Sequence, residues 1–360
     1  MTLKIGSHFI GREHRPFVVA ELSGNHDGRL EQALAILDAA ADAGAHALKL
    51  QTFDADSMTL RSDAPAFRVD AEHGLWGGRR LWDLYDEGKT PLEWHRPLFE
   101  RARTRGILCF STPFDEKAVD FLEEFEPPAY KIASFECIDL PLIRYVASTR
   151  RPLILSTGMA SLGEIERAVE TARAAGCEQL VLLKCTSTYP ADPVDTNLRA
   201  IPLLRECFGC EVGLSDHTGG VGAAVAAVAL GATFIEKHFT ISRAAGGVDA
   251  AFSLEPPELR ALVVETERAW QALGTPRVGP TRAELASLRY RRSIFVSRDV
   301  RAGEPFTREN LRRVRPADGL DPQFFEQILG RVAGRDIAAG TPLEWSLVGG
   351  PSPDRDTGET

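Results

Sequence analysis

The sequence predicts a (β/α)₈ barrel followed by a small β-rich module, and two observations carry the barrel prediction. Eight short apolar runs lie between residues 17 and 239, and each ends in polar residues. Amphipathic helical segments closed by glycine separate them, as in 30–44 and 162–176. Continuous apolar runs that alternate with helices are typical of parallel strands covered on both faces. The runs read FVVAELSGN, HALKLQTF, GILCFSTPF, AYKIAS, PLILSTGM, QLVLLKCTS, EVGLSDH and TFIEKHF.

The alternative to a barrel is a doubly wound open sheet, whose first turn is usually a glycine-rich phosphate-binding loop. Here the first turn after a strand reads ELSGNHDG and lacks the GxGxxG pattern, whereas eight strands match a barrel in count and length. The barrel is therefore the favoured fold. The expected organisation is a barrel over 1–274, a charged linker over 275–292, a β-rich module over 293–348 and a disordered tail over 349–360.

The small module contains an internal repeat. RDVRAGEPFTRENL at 298–311 and RDIAAGTPLEWSLV at 335–348 share Arg, Asp, Ala, Gly and Pro in register. Short β-prone runs around Ala-Gly turns predict two related units with pseudo-twofold symmetry. A module of fewer than about 60 residues has a thin core, so we expect it to dock on another surface.

One connection in the barrel is much longer than the others. Residues 54–91 follow the second strand and include the charged, aromatic stretch GLWGGRRLWDLYDEGKTP. Long loops at the carboxyl end of a barrel usually form lids or substrate walls. The alternative is a surface excursion without a role.

Composition and charge exclude several classes of partner. A net charge of -9 argues against a nucleic-acid-binding face, which is basic. No apolar run approaches the ~20 residues that span a bilayer, and residues 1–16 lack the apolar core of a signal peptide. Six cysteines then suggest reduced thiols in a cytoplasm. Cys207 and Cys210 form a single CxxC, which without a second pair is a weak zinc signal.

Polar side chains follow every predicted strand, where barrel enzymes place their catalytic groups. Each residue alone could be a hydrogen bonder at a strand end, but eight such sets converge on one mouth and predict an active site. The set comprises Glu21, Asn25, Lys49, Gln51, Ser111, Thr112, Lys131, Ser134, Glu136, Ser156, Thr157, Lys184, Ser187, Tyr189, Ser215, Asp216, His217, Glu236 and His238.

Two kinds of chemistry are visible in this set. Lysines and hydroxyls form a ring of cations and donors that suits a phosphate with a carboxylate beside it. The ring comprises Lys49, Lys131, Ser134, Ser156 and Ser215. His217 and His238 end the neighbouring strands seven and eight, so two imidazoles ~5 Å apart could share one divalent ion. Glu21, across the barrel, could ligate that ion through water or hold substrate.

Two alternatives remain open at this point. The two histidines could simply be hydrogen-bonded to their neighbours. Lys131 or Lys184 could instead be a nucleophile that forms a Schiff base with a carbonyl substrate, which requires a desolvated, neutral amine. Lys131, among anion-binding groups, suits a phosphate ligand better than a nucleophile.

The motifs together resemble one family. AELSGNHDG, LKLQTF, FSTPFD, YKIASFE, LSTGMAS, CTSTYPA, GLSDHT and IEKHFT are similar to the sialic acid synthases, which make nonulosonic acids in bacteria, and the module is similar to their antifreeze-like (SAF) domain. The resemblance covers nearly the whole chain. It implies condensation of phosphoenolpyruvate with a 2-acetamido sugar aldehyde, release of phosphate, and a divalent cofactor such as Mn²⁺, Mg²⁺ or Co²⁺.

Two segments resemble the pseudaminic acid synthase branch of that family, LWDLYDEGKTPLEWHRPLF at 81–99 and GGVDAAFSLEP at 246–256. The implied sugar is 2,4-diacetamido-2,4,6-trideoxy-L-altrose. Val248 and Ser187 stand where the N-acetylneuraminate branch usually has Pro and Asn, which argues against N-acetylmannosamine. An N-acetylneuraminate or legionaminate synthase is the alternative, and an inactive barrel that binds carbohydrate is an alternative of another class.

The resemblance also implies residue roles. Phosphoenolpyruvate would contact Lys49, Gln51, Thr112, Lys131, Ser134, Ser156, Ser187 and Ser215. The sugar would contact Glu21, Tyr189, Asp249 and Arg315, the last reaching over from the partner of a domain-swapped homodimer. The metal would lie on His217 and His238, and the catalytic residues would be Glu21, Glu136, His217 and His238.

Overall fold

The structure is a computed structural model, and it describes residues 3–72 and 75–350. The chain divides into two compact units, Met1–Gly274 and Thr275–Thr360. The stretch expected to be a linker, 275–292, belongs to the second unit and contains a 3₁₀ helix at Arg282–Tyr290. Most of the tail expected to be disordered, 351–360, lies outside the described residues. No helix among the described residues is long and apolar enough to span a membrane.

The first unit contains a closed barrel of eight parallel strands, so the predicted fold class is confirmed. An antiparallel hairpin, β1 (Leu3–Ile5) and β2 (His8–Ile10), precedes the barrel, and the last barrel strand, β10 (Phe234–His238), closes it by pairing with the first, β3 (Phe17–Glu21). All eight predicted apolar runs form barrel strands in chain order. The eight barrel strands are β3 (Phe17–Glu21), β4 (Ala47–Thr52), β5 (Leu108–Pro113), β6 (Tyr130–Ile132), β7 (Leu153–Ser156), β8 (Leu180–Cys185), β9 (Glu211–Asp216) and β10 (Phe234–His238).

Helices connect successive strands and begin and end where the sequence signals them. The helix at Leu162–Ala174 begins after Ser161, whose hydroxyl accepts from the Glu164 amide in a capping box. The helix at Leu30–Ala43 ends at Gly44, which adopts a φ of 91° that disfavours other residues. The helices of this unit are α1 (Leu30–Ala43), α2 (Ala55–Met58), α3 (Leu81–Gly88), α4 (Leu92–Arg105), α5 (Glu116–Glu123), α6 (Leu140–Ser148), α7 (Leu162–Ala174), α8 (Ala200–Phe208), α9 (Gly222–Ala229) and α10 (Pro256–Leu273).

The barrel interior changes from apolar to charged along its axis. Side chains alternate between the two faces of a strand, so every second residue points inward. A cluster of apolar side chains fills the amino-terminal half of the interior, and the hairpin residues Leu3, Ile5 and Ile10 pack against it. Lys49 follows the apolar Ala47 by two residues, and Glu236 follows the apolar Phe234 by two residues. Each charged side chain therefore points into the interior, as its apolar neighbour does. The carboxyl end of the barrel is therefore lined with charge.

The 54–91 insertion packs over the carboxyl end of the barrel. It contains α2, a 3₁₀ turn at Pro65–Phe67, and α3. The indole of Trp76 donates to the carbonyl of Val248 at 3.2 Å, in the loop after β10. Gly88 approaches Gly24, in the loop after β3, so closely that a Cβ on Gly24 would lie 3.2 Å from it. These contacts favour a wall of the mouth over a surface excursion.

The second unit is a small β-rich module with its own core. Its strands and α-helix in the described residues are β11 (Ser293–Val296), β12 (Leu311–Val314), α11 (Phe325–Ile328), β13 (Val332–Ala333) and β14 (Val348–Gly349), and short 3₁₀ helices lie between them. The two copies of the repeat pair with each other at Val300 and Ile337, which exchange both backbone hydrogen bonds. Asp299 accepts from the Ala339 amide at 2.8 Å, and Asp336 accepts from the Ala302 amide at 2.7 Å. These reciprocal contacts show the predicted pseudo-twofold symmetry.

A buried ion pair ties together the ends of β9 and β10. The Lys237 ammonium lies 2.9 Å from Asp216 Oδ2, and both side chains are 0% exposed. Lys237 also donates to the carbonyl of Thr218, whose amide donates to Asp216 Oδ1 at 2.9 Å. Since Asp216 and Lys237 each precede a strand-end histidine, the pair fixes His217 and His238 relative to each other.

Removing one member of this pair should destabilise the barrel strongly. Asp216→Ala leaves the Lys237 ammonium buried without its counterion, which costs about 3–5 kcal/mol of the free energy of unfolding. Asp216→Leu combined with Lys237→Met should recover most of that loss, because no buried charge remains. Urea unfolding measures both. Glu265→Ala, at the exposed pair with Arg268, is the control and should change stability by less than about 1 kcal/mol. A double variant as unstable as the single one would contradict this account.

Candidate active site

Four ionisable side chains meet inside the mouth of the barrel, and none is more than 5% exposed. Lys49 on β4 lies between two carboxylates, 2.6 Å from Glu21 Oε2 and 3.8 Å from Glu236 Oε2. Lys131 on β6 lies 3.4 Å from Glu236 Oε1. Glu236 on β10 therefore stands between the two lysines, although its strand is not adjacent to either of theirs. The barrel interior is what brings these charges together.

Burial and mutual pairing set the charge states of this group. Burial raises the pKa of Glu21 to about 7, although Lys49 opposes the shift. The pKa of Glu236 is lowered, because Lys131 and Lys49 together outweigh the effect of burial. Burial lowers the pKa of Lys131, and Glu236 partly offsets that change. At neutral pH the mouth thus holds an ionised Glu236 beside a glutamate that can gain or lose a proton.

Hydroxyls and a backbone amide form a cradle beside the lysines. Ser134 Oγ accepts from the Gly158 amide at 3.2 Å. A Cβ on Gly158 would collide with the hydroxyls of Ser134 and Ser187, so only glycine fits here. Ser156 Oγ is buried and has no hydrogen-bond partner within the described part of the chain. An oriented amide with several hydroxyls at one concavity suits the oxygen atoms of an anion.

The remaining residues predicted to bind phosphoenolpyruvate contact the charged group itself. Lys49 donates to Thr112 Oγ1 at 3.2 Å, and Ser215 Oγ donates to Glu236 Oε1 at 3.1 Å. Gln51 Nε2 donates to Glu21 Oε1 at 2.9 Å. The structure therefore places all of them in the mouth, with Gln51 and Ser215 committed to carboxylates rather than free to donate to a ligand.

The two strand-end histidines lie side by side, with ring centroids 5.3 Å apart. His217 Nδ1 lies 2.9 Å from the carbonyl of Thr186, which can only accept, so Nδ1 carries a proton, and in the neutral ring the lone pair of Nε2 is available to a ligand. Burial acts to lower the pKa of His217, but Cys185 and the Thr186 carbonyl outweigh it and raise that pKa above its usual value. Nδ1 of His238 is buried and finds no hydrogen-bond partner among residues 3–72 and 75–350. Burial lowers the pKa of His238 well below its usual value, which keeps the ring neutral.

This pair fits a divalent ion. Metal-binding histidines typically hold a backbone carbonyl or carboxylate with their other ring nitrogen, as His217 does with Thr186. His238 Nδ1 lies 3.9 Å from Asp249 Oδ2. In the described residues, no group of three or more His, Cys, Asp or Glu side chains is arranged to hold a metal. An ion held by these two side chains alone would keep coordination positions for water and substrate, as a catalytic site requires.

Aromatic rings and one carboxylate border the histidines on the side of the insertion. Tyr189 lies 4.5 Å from His217, and Phe252 lies 4.9 Å from His238, between ring centroids. Trp76 of the insertion lies 5.9 Å from Tyr189. Asp249 accepts from the Ser23 hydroxyl, and burial raises its pKa. Polar and aromatic groups at one concave edge are typical of sugar recognition.

Glu136 lies at the end of β6, in the 3₁₀ helix Phe135–Ile138. Its Oε2 atom is buried and has no hydrogen-bond partner in the part of the chain that the structure describes. Burial raises its pKa to about 7, and its charge contributes to raising the pKa of Tyr85 in α3. A carboxyl group with such a pKa can take up and release a proton at neutral pH.

Three residues of the predicted mouth lie on the other face of their strands. Ser111 contacts Thr52 at 2.6 Å, and Asp216 forms the buried pair with Lys237. Lys184 donates to Thr186 Oγ1 at 2.7 Å, on the opposite face of β8 from the mouth residue Cys185, which disfavours it as a Schiff-base nucleophile. Arg315 belongs to the second unit and is exposed.

Several features of the site go beyond the prediction. Glu236 belongs to the predicted set of strand-end residues but has no role assigned there, and the structure shows it as the carboxylate between both lysines. Cys185 Sγ lies 3.9 Å from His217 Nδ1, and Ser23 bridges Gln51 and Asp249. Period-two alternation from Leu183 would have identified Cys185, whereas nothing in the local pattern marks Ser23 or Phe252.

Comparison with known proteins identifies the family of the chain. The NeuB family model matches residues 36–277, and the SAF domain model matches 291–349. Pseudaminic acid synthase of Campylobacter jejuni is 45% identical to this chain, and the match covers 92% of this chain and 96% of the relative. The N,N'-diacetyllegionaminic acid synthase of the same species is 34% identical, and the match covers 89% of this chain and 96% of the relative. A crystal structure of N-acetylneuraminic acid synthetase from Leptospira borgpetersenii in complex with citrate superposes with a TM-score of 0.72 and is 33% identical in sequence. The superposition covers 81% of this chain and 96% of that structure's chain. The chain therefore belongs to the NeuB family of sialic acid synthases, as its motifs predicted.

Proposed function

We propose that this chain condenses phosphoenolpyruvate with 2,4-diacetamido-2,4,6-trideoxy-L-altrose, giving pseudaminic acid and phosphate. The observation that carries the proposal is the juxtaposition of two buried lysines and a hydroxyl cradle with a pair of buried histidines at neighbouring strand ends. The lysines and hydroxyls suit a ligand that carries both a phosphate and a carboxylate. The histidines suit a metal ion that polarises a carbonyl group. The 45% identity to a named pseudaminic acid synthase supports the choice of sugar.

Phosphoenolpyruvate carries a phosphate and a carboxylate, and the mouth offers donors for both. Lys49 and Lys131 supply positive charge, the hydroxyls of Ser134 and Ser187 lie beside Gly158, and Ser156 adds a buried hydroxyl without a hydrogen-bond partner among the described residues. Because Glu236 is held between the lysines, the ammonium groups stay in place before the ligand arrives. Such preorganised charge in a water-poor site acts more strongly than the same charge in water.

The sugar would enter in its open-chain form with the aldehyde at the histidines. A divalent ion held by His217 and His238 would supply Lewis-acid polarisation of the aldehyde oxygen. Glu21, Tyr189 and Asp249 would hold the hydroxyl and amide groups of the sugar. Positioning two bound reactants in this way can supply up to about 7–11 kcal/mol of the barrier.

The reaction forms one carbon–carbon bond and breaks one carbon–oxygen bond. The methylene carbon of phosphoenolpyruvate attacks the aldehyde carbon, and the aldehyde oxygen takes up a proton and becomes a hydroxyl. This step leaves a cationic centre at the carbon bearing phosphate. Water adds to that centre, and the tetrahedral intermediate expels phosphate with the bridging oxygen. We assign the proton of the attacking water to Glu136, whose buried, unpartnered Oε2 and raised pKa suit a general base at neutral pH.

We further propose the assembly and location that the family resemblance implies. In a domain-swapped homodimer, Arg315 of each chain would reach the sugar site of the partner subunit, and its exposure is compatible with that role. Phosphoenolpyruvate and free cysteines both suit a cytoplasmic protein. Sedimentation velocity of the full chain tests the assembly, and a monomer at every concentration would contradict it.

The choice of sugar should be visible in phosphate release. We expect phosphate from phosphoenolpyruvate with the altro sugar, and kcat/KM at least about tenfold lower with its manno counterpart and with N-acetylmannosamine. The measurement is a coupled phosphate assay with each sugar in turn. A preference for the manno compound would indicate a legionaminate synthase, and a preference for N-acetylmannosamine a neuraminate synthase. No phosphate with any of them would support an inactive, carbohydrate-binding barrel.

The histidine pair should control metal affinity. His238→Ala should weaken Mn²⁺ binding at least about tenfold, because a direct ligand is lost. Calorimetric titration of metal-free protein measures this without reference to turnover. His14→Ala is the matched control, because that ring stacks on Phe9 of the hairpin, 5.4 Å between centroids, and should leave affinity unchanged. Equal affinity in His238→Ala, or full activity after EDTA treatment, would contradict the metal role.

A further inference from the structure

We propose that Trp76, carried by the 54–91 insertion, determines specificity for the sugar by contacting the substituents that replace hydroxyls at its C4 and C6. The inference rests on the proposed function and names a residue that the chemistry at the histidines does not require. Its basis is the aromatic cluster at the mouth, which combines rings from the barrel loops with one ring from the insertion.

The cluster is continuous from the metal-binding histidines to the insertion. Tyr189 contacts the His217 ring on one side and the Trp76 ring on the other, at centroid distances of 4.5 Å and 5.9 Å. Phe252 contacts the His238 ring at 4.9 Å and the Trp76 ring at 6.5 Å, the latter edge-to-face. Trp76 therefore extends the apolar surface that begins at the histidines.

A hydrogen bond holds the Trp76 ring, and a backbone contact holds the end of the insertion that carries it. Its indole N–H donates to the carbonyl of Val248 at 3.2 Å, which fixes the plane of the ring. Val248 directly precedes Asp249, the carboxylate beside His238. The close approach of Gly88 to Gly24 anchors the end of the insertion to the loop after β3. An aromatic ring fixed in this way loses little conformational entropy when a ligand packs on it.

The substituents of the sugar match such a surface. Relative to N-acetylmannosamine, the proposed substrate has an acetamido group at C4 and a methyl group at C6, where the other sugar has hydroxyls. Methyl and acetamido groups gain free energy by burial against aromatic rings, whereas hydroxyls gain little there. The apolar wall thus discriminates between the two sugars at the end away from the aldehyde.

Tyr189 and Phe252 are less suited to discriminate, because both contact the histidines directly. Their loss would disturb the aldehyde end that every acetamido sugar of this class shares. Trp76 is contributed by the insertion, so its removal changes the wall and leaves the barrel strands intact. This placement assigns it a role in choosing the sugar rather than in the chemistry.

The test compares Trp76→Ala and Trp76→Phe with wild type, using phosphate release from phosphoenolpyruvate. In Trp76→Ala, the ratio of kcat/KM for the diacetamido sugar to that for N-acetylmannosamine should fall about 10- to 100-fold. Trp76→Phe keeps an aromatic face and should recover at least about a third of the wild-type ratio. The KM for phosphoenolpyruvate should change far less than the KM for the sugar.

A second tryptophan of the insertion provides the matched control. Trp82 donates to Asp56 at 2.7 Å and packs against the Arg61 guanidinium at 4.3 Å, both within the insertion. Trp82→Ala should keep the wild-type sugar ratio. An equal fall of the ratio in Trp82→Ala, or an unchanged ratio in Trp76→Ala, would overturn the assignment.

Measurements on the wild type alone show whether the proposed function fails, independently of the role of Trp76. If the wild type prefers N-acetylmannosamine, the proposed substrate is wrong, and the effect of Trp76→Ala on the ratio still decides the role of this residue. If the wild type turns over neither sugar, calorimetric titration with the diacetamido sugar replaces the kinetics. Weaker binding in Trp76→Ala than in wild type and Trp82→Ala supports the inference, and equal binding, or no binding by any of the three, overturns it.

Discussion

The buried charges at the mouth of the barrel are the constraint on which the rest of the site depends. Taking an ion out of water costs several kcal/mol, and a well-packed apolar replacement is often the more stable choice. The chain nevertheless keeps Glu21, Lys49, Lys131 and Glu236 there, each at most 5% exposed. Glu236 offsets part of this desolvation cost, because it lies between both lysines and pairs with each of them. Since stability alone does not favour such a group, its retention indicates function.

The surrounding structure keeps this group in place and adds the second half of the chemistry. Apolar side chains fill the interior below the charges, so the lysines cannot withdraw towards the other end of the barrel. On the outer face, the buried pair of Asp216 and Lys237 links the ends of β9 and β10 and so sets the spacing of the two histidines. The insertion closes one side of the mouth, where Trp76 meets Tyr189. The mouth thus has two adjoining parts, a charged one that suits phosphoenolpyruvate and an aromatic one beside the histidines that suits the uncharged sugar.

Much of the fold and of the site could be predicted from the sequence, because in a barrel the place of a residue along its strand determines where its side chain lies. Eight strands with polar ends fix the fold, and period-two alternation places Lys49, Lys131 and His238 inward. The same rule explains the errors, since Asp216 and Lys184 each neighbour an inward residue and therefore point outward. The central position of Glu236 depends on contacts across the barrel, and that of Trp76 depends on the path of a long loop. Neither is set by the residues next to it in sequence.

The most direct test follows the bridging oxygen of phosphoenolpyruvate. If the carbon nucleophile and the later attack of water proceed as described, ¹⁸O placed at the bridging position leaves with the phosphate. Mass spectrometry of the released phosphate and of the ketose measures where the label goes. The account predicts labelled phosphate and an unlabelled ketose when the reaction runs in ordinary water. Label retained at C2 of the ketose would mean that a phosphorus–oxygen bond breaks instead, and would contradict it.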